Sequence, residues 1–245
     1  MMEKEIKKEK NVLFQVSLLQ ALTLGHYEGI LSAGALKEHG DFGIGTFHGL
    51  DGEMILLDGI LYRADGEGHI TVPGDAVTVP FADVTFFEAE EERVVPDCRS
   101  AKELARVLTE AAEEKGRNGF RVFRTDARFR RITVRSERGQ EKPWRRLDEV
   151  MKTEQRVFTY ENIFGTLIGL CCPPWTDRLN MPGWHFHFLS ESRTAGGHVL
   201  DLSFAGGTAS LAGLSRFELL LPDTEEFGKL DLQQDLRDAV SSAEG

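Results

Sequence analysis

The stretch Gly183-Trp184-His185-Phe186-His187-Phe188-Leu189 decides the reading of this chain. Its residues alternate polar and aromatic with a period of two. That pattern belongs to a strand, in which side chains two apart share a face. His185 and His187 then lie on one face, roughly 7 Å apart along the strand. Trp184, Phe186 and Phe188 face the other way, toward a core, and leave the imidazoles to a cleft. The polar, glycine-ended segment Ser190-Glu191-Ser192-Arg193-Thr194-Ala195-Gly196-Gly197 follows. It reads as a hairpin connection that carries His198 back beside the pair. Three imidazoles with an open position is the layout of a catalytic zinc site. Taken alone, a His-x-His pair in a strand also suits a surface pair that binds no metal. The other histidines, His26, His39, His48 and His69, stand beside glycines in loops, and at least three of them are expected to be exposed.

Working outward, strand texture dominates. From 41 to 95 short apolar runs alternate with Asp51-Gly52, Asp58-Gly59 and Asp65-Gly66. Asp-Gly between apolar runs marks hairpins, so this region reads as a meander. Phe120–Arg124 and Phe129–Val134 read as two strands with a turn at Thr125-Asp126-Ala127. Residues 136–156 read as a linker or arm. Gly165–Leu170, Val199–Phe204, Ala209–Leu211 and Arg216–Leu221 read as further strands. Four helices are expected. The first two cover 12–24 and 31–38. The third runs over 100–115, with Ser100 as N-cap and Glu103 completing a capping box. The fourth covers 229–242. The sum is a β-rich α+β chain.

The 245 residues suffice for one large β-rich domain or two small ones. Formal net charge is −11, with 40 acidic against 29 basic residues. That balance predicts no nucleic-acid partner and no anionic membrane partner. Any anion site needs a concentrated local positive charge. Cys98, Cys171 and Cys172 are odd in number, with two adjacent. They fit no disulfide framework and point to a reducing, cytoplasmic setting. The Lys- and Glu-rich residues 1–11 do not read as a secretion signal. No run of 18 apolar residues occurs, so no membrane span is expected.

Two longer motifs carry a family resemblance. One is Gly40-Asp41-Phe42-Gly43-Ile44-Gly45-Thr46-Phe47, followed by Leu50-Asp51-Gly52-Glu53-Met54-Ile55. The other is Pro182-Gly183-Trp184-His185-Phe186-His187-Phe188, followed by Gly196-Gly197-His198-Val199-Leu200-Asp201. Together with 13–29, Gly165–Pro173 and 236–244, they resemble α-acetolactate decarboxylase over about 13–245. The resemblance implies a zinc enzyme that converts 2-acetolactate to acetoin and carbon dioxide. It implies a homodimer of two-domain subunits: a mixed sheet with flanking helices over 12–118, and a β-barrel-like metal domain with a terminal helix over 119–245. It also implies that His185, His187 and His198 ligate Zn2+, that Glu53, Arg135 and Glu244 are catalytic, and that Thr46 and Arg135 contact substrate. One departure stands out. Where the family reads Arg-Thr-Val-Pro ahead of a glutamine, this chain has Arg135-Ser136-Glu137-Arg138-Gly139-Gln140. Arg130, Arg131 and Arg138 are therefore rivals for the arginine's role.

The implied chemistry suits these residue types. Losing carbon dioxide beside a ketone leaves an enediolate, whose developing charge a metal on neutral imidazoles can stabilise. An arginine can hold the carboxylate, and a carboxylic acid can protonate the carbon left behind. Without the resemblance, two alternatives stay open. One is another metal-dependent β-barrel enzyme, a dioxygenase or isomerase acting on a small keto acid. The other is a binding module with structural histidines.

Overall fold

A computed structural model describes residues 9–237, 239 and 240. It begins with β1 (Val12–Val16), α1 (Leu19–Thr23), β2 (Leu31–Ser32), α2 (Ala33–Leu36) and β3 (Phe42–Thr46). The meander continues through β4 (Glu53–Leu57), β5 (Ile60–Ala64), β6 (Ile70–Thr71), β7 (Thr78–Val79), β8 (Phe81–Thr85) and β9 (Glu91–Val95). Then come α3 (Ala101–Glu113), β10 (Phe120–Glu137), α4 (Leu147–Glu154) and β11 (Gln155–Cys172). The described elements end with β12 (Gly183–Ser190), β13 (Gly196–Phe204), β14 (Gly207–Leu214), β15 (Arg216–Leu220) and α5 (Glu225–Gly228). The structure is α+β and β-rich, as expected.

Two sheets carry the architecture. The first has seven strands in the order β15-β1-β8-β3-β4-β5-β6, and the second six in the order β11-β12-β13-β10-β14-β9. The first is mixed, because β1 runs parallel to β15 and antiparallel to β8. In the second, pairing passes from β10 through β11, β12 and β13 and returns to β10. The sheets face each other across one apolar layer. Ile44, Ile55 and Tyr62 of the first meet Val122, Ile168 and Leu170 of the second. Beyond the second sheet, Leu104 and Leu108 of α3 pack on Phe123, Phe129 and Phe204. Beyond the first, Ala33 and Leu36 of α2 pack near Val16, Met54 and Val84. The chain crosses between sheets twice: β9 joins the second, and β15 returns to the first.

Several local expectations need correction. The apolar run from Val12 is strand β1 before it is helix. All five of its residues are buried, since β15 and β8 flank it and both faces are covered. A strand buried on both faces shows no alternation and so resembles a helix stretch. The helix expected over 31–38 is confined to Ala33–Leu36. The turn expected at Thr125-Asp126-Ala127 is mid-strand, within one unbroken strand from Phe120 to Glu137. Its polar side chains find partners there. Thr125 Oγ1 donates to the Thr208 carbonyl at 2.8 Å, and Asp126 accepts from Thr166 Oγ1 at 2.5 Å. The arm expected over 136–156 contains helix α4, with Leu147 and Val150 buried. The tail expected to be helical over 229–242 is turns and irregular chain over 229–236 and helical at 237, 239 and 240.

The third helix forms as read. Ser100 Oγ accepts from Glu103 N–H at 3.1 Å, a cap that contributes about 1 kcal/mol. Glu103 reaches back to Arg99 N–H, one residue beyond the expected capping-box partner.

Candidate metal centre

The hairpin β12–β13 builds the site. Its register sets His187 directly opposite His198, with Phe188 opposite Gly197. His185 lies two residues along the same face. On the other side β12 pairs with β11 so that Ile168 stands opposite His187 and Leu170 opposite His185. Those two apolar neighbours belong to the layer between the sheets, so the imidazoles point toward the first sheet. Trp184, Phe186 and Phe188 join the core on the opposite face.

The three rings converge. Their centroids lie 5.1, 4.6 and 5.5 Å apart for the pairs 185–187, 185–198 and 187–198. One ligand nitrogen from each lies within 4.8 Å of the other two. His185 Nε2 and His198 Nδ1 are 2.7 Å apart. Loss of solvent lowers the His185 pKa to about 3, with help from the Arg135 charge. Burial, then His185, pushes His187 well below the usual imidazole range. Neutral imidazole is the form that ligates metals.

The tautomer of His187 follows from one bond. Its Nδ1 lies 2.9 Å from the Met54 carbonyl oxygen. A carbonyl only accepts, so Nδ1 carries the proton and Nε2 keeps a lone pair. That Nε2 is buried, makes no hydrogen bond, and sits 3.4 Å from Glu53 Oε2. A ring lone pair facing a carboxylate oxygen is what a cation between them satisfies. The donor set, three imidazole nitrogens with a carboxyl group alongside, fits a divalent transition metal.

The remaining expected residues distribute as follows. Glu53 opens β4 opposite Thr46, the last residue of β3. Thr46 Oγ1 donates to the Gly52 carbonyl at 2.9 Å, so it presents an acceptor to its surroundings. Arg135 on β10 is paired in register with His198. Its Nε lies 3.9 Å from Glu53 Oε1, and both side chains are buried. Three histidines, Glu53, Arg135 and Thr46 all line one small cavity of about 30 Å³. Leu19 and Leu22 of α1, Phe81, and Leu147 and Met151 of α4 supply apolar wall. Glu244 lies outside the described residues.

The rival arginines are engaged elsewhere. Arg130 pairs with Asp97, Arg131 with Asp201 at 2.7 Å, and Arg138 with Glu67 at 2.7 Å. None lines the cavity. Of the four other histidines, only His48 and His69 are exposed. His26 is buried and 3.1 Å from Thr224 Oγ1, and His39 stacks on Phe14 at 3.7 Å. The expectation that at least three would be exposed is corrected accordingly.

Two contributors escaped the sequence reading. Helix α4 was hidden in the supposed arm, although Leu147, Val150 and Met151 follow i, i+3, i+4 spacing. Glu137, 1% exposed, also lines the cavity. No local pattern marks it.

Comparison with known proteins agrees with this geometry. The profile of the family described as alpha-acetolactate decarboxylase matches residues 13–234. The alpha-acetolactate decarboxylase of Methanosarcina mazei is 41% identical over 234 residues, 96% of this chain and 80% of that protein. That of Brevibacillus brevis is 38% identical, over 96% of this chain and 81% of its own length. The crystal structure of alpha-acetolactate decarboxylase from Bacillus subtilis strain 168 superposes with a TM-score of 0.91 at 31% identity. It covers 96% of this chain and 99% of its own.

Proposed function

The chain belongs to the alpha-acetolactate decarboxylase family, carboxy-lyases that turn acetolactate into acetoin, and from that premise we propose a zinc-dependent reaction centred on His185, His187 and His198. One observation carries the reading: the bare His187 Nε2 is aimed at Glu53 inside a cavity that also holds two more imidazoles and a buried arginine. As a carboxy-lyase the protein is neither a dioxygenase, nor an isomerase, nor a mere binding module.

When bound by the three imidazoles, zinc would supply a Lewis acid for negative charge on the ketone and hydroxyl oxygens. Arg135 holds the substrate carboxylate. Its fixed charge in a dry cavity is the local positive centre that the acidic exterior lacks. The apolar wall from α1, Phe81 and α4 excludes water, which strengthens that attraction. Loss of carbon dioxide leaves an electron pair on the adjoining carbon. Glu53, protonated, delivers a proton to it and sets one face for acetoin. Glu244, outside the described residues, is a second proposed donor. Thr46, opposite Glu53 in the β3–β4 ladder, fixes that carboxyl's approach and offers its lone pairs to the substrate.

We also propose a homodimer in the cytoplasm. Three free cysteines, two of them buried, suit a reducing compartment. Exposed Val157 and Phe164 of β11 offer apolar surface to a second copy. Sedimentation tests this: a species of one chain's mass at micromolar concentration removes the dimer.

The reaction is tested by mixing purified protein with racemic 2-acetolactate and measuring acetoin. Chelator should abolish acetoin formation and added zinc should restore it. Full activity after exhaustive chelation removes the metal-dependent reading.

A further inference from the structure

Glu137 has no part in the steps above. It ends β10 two residues beyond Arg135, and strands turn alternate side chains to opposite faces. Glu137 therefore shares the Arg135 face. Ser136, between them, turns away and donates from Oγ to the Ala64 carbonyl at 2.6 Å. Glu137 lines the same cavity as the three imidazoles, Glu53 and Arg135. Its charge reaches the buried Tyr27, whose phenol is held far above the usual range by burial first and by Glu137 second. This chain has put a carboxyl into the wall of an anion's binding site.

A charge 1% exposed to solvent is weakly screened and acts strongly on any ion beside it. Arg135 and a divalent ion on the histidines attract one carboxylate. The Glu137 carboxylate opposes any further negative charge. We propose that Glu137 is a specificity-determining residue that restricts the site to monoanionic keto acids and rejects those bearing a second carboxylate. This rests on the decarboxylase reading above. Coulomb's law fixes the sign. Removing a wall carboxylate tightens binding of every anion, and of a dianion more than a monoanion.

The test is calorimetric titration of zinc-loaded protein with two unreactive analogues at neutral pH. One is the monoanion 2-hydroxy-2-methylbutanoate, and the other is the dianion 2-methylmalate. The ratio of their Kd values cancels general changes in folding or metal content. Wild type should favour the monoanion, and Glu137→Gln should lower the dianion-to-monoanion Kd ratio about tenfold. Should Glu137→Gln fail to fold, Glu137→Val, which also removes the charge, carries the same expectation. A ratio within about twofold of wild type overturns the proposal. Acetoin formation by the wild type is measured alongside. Its absence overturns the decarboxylase reading and this proposal together, whereas an unchanged ratio in an active enzyme removes only the role of Glu137.

Discussion

His187 of the second sheet donates from Nδ1 to the Met54 carbonyl of the first, at 2.9 Å. This bond helps to tie the two sheets at the site and fixes which ring nitrogen faces the cavity. A metal held there would couple its affinity to sheet packing, because the carbonyl that orients His187 belongs to the opposing sheet.

Glu53 and Thr46 form one unit across the β3–β4 ladder. Glu53→Gln keeps the shape and removes the acid, so kcat should fall by about 10²–10⁴ with KM little changed. Thr46→Val loses the bond to the Gly52 carbonyl and should cost about 1 kcal/mol in chemical unfolding. Thr46→Ser, which retains the hydroxyl, should recover most of that loss. Equal stability of Thr46→Val and Thr46→Ser would show that the bond contributes nothing.

Arg135 is buried beside carboxyl groups, so its loss has two readouts. Arg135→Ala leaves buried negative charge uncompensated and should lower stability by about 3–5 kcal/mol. Arg135→Lys keeps the charge but not the planar fork. It should fold near normally while kcat/KM falls roughly a hundredfold. A lysine variant with wild-type kinetics would mean that Arg135 does not grip the carboxylate.

Asp83 provides a pH test away from the histidine cluster. Burial raises its pKa from 3.8 to about 7, although a bond from Asn180 Nδ2 to Oδ2, 2.8 Å long, opposes the shift. A raised carboxyl pKa means the folded state holds the proton more tightly than the unfolded state. The stabilising contribution is complete below the unfolded value near 4 and is lost as pH rises through about 7. Wild type should therefore lose stability relative to Asp83→Asn between pH 4 and 8, by a few kcal/mol in total. Parallel Tm profiles for the two proteins across that range would contradict the assignment.

The histidine cluster was legible because its signal is local. Period-two alternation over 184–188 and a glycine-ended hairpin suffice to bring His198 to His185 and His187. Other parts were not legible, for physical reasons. Strand β1 is covered on both faces, so its pattern carries no period. Its parallel partner β15 lies about two hundred residues away, and no local pattern records that pairing. Thr125-Asp126-Ala127 has turn composition, yet tertiary hydrogen bonds hold it extended. Glu137 looked like part of an exposed arm, because only the continuation of β10 beyond Arg135 carries it into the cavity.

The central claim, catalysis at a metal held by three histidines, is tested most directly by zinc content and acetoin formation measured together on wild type and His187→Ala. Wild type should hold about one zinc per chain and release acetoin from racemic 2-acetolactate. His187→Ala, with an unchanged far-ultraviolet spectrum, should lose most of the zinc and at least about a thousandfold in rate. A wild type that holds zinc but forms no acetoin, or a His187→Ala variant that keeps the wild-type rate, would contradict the account.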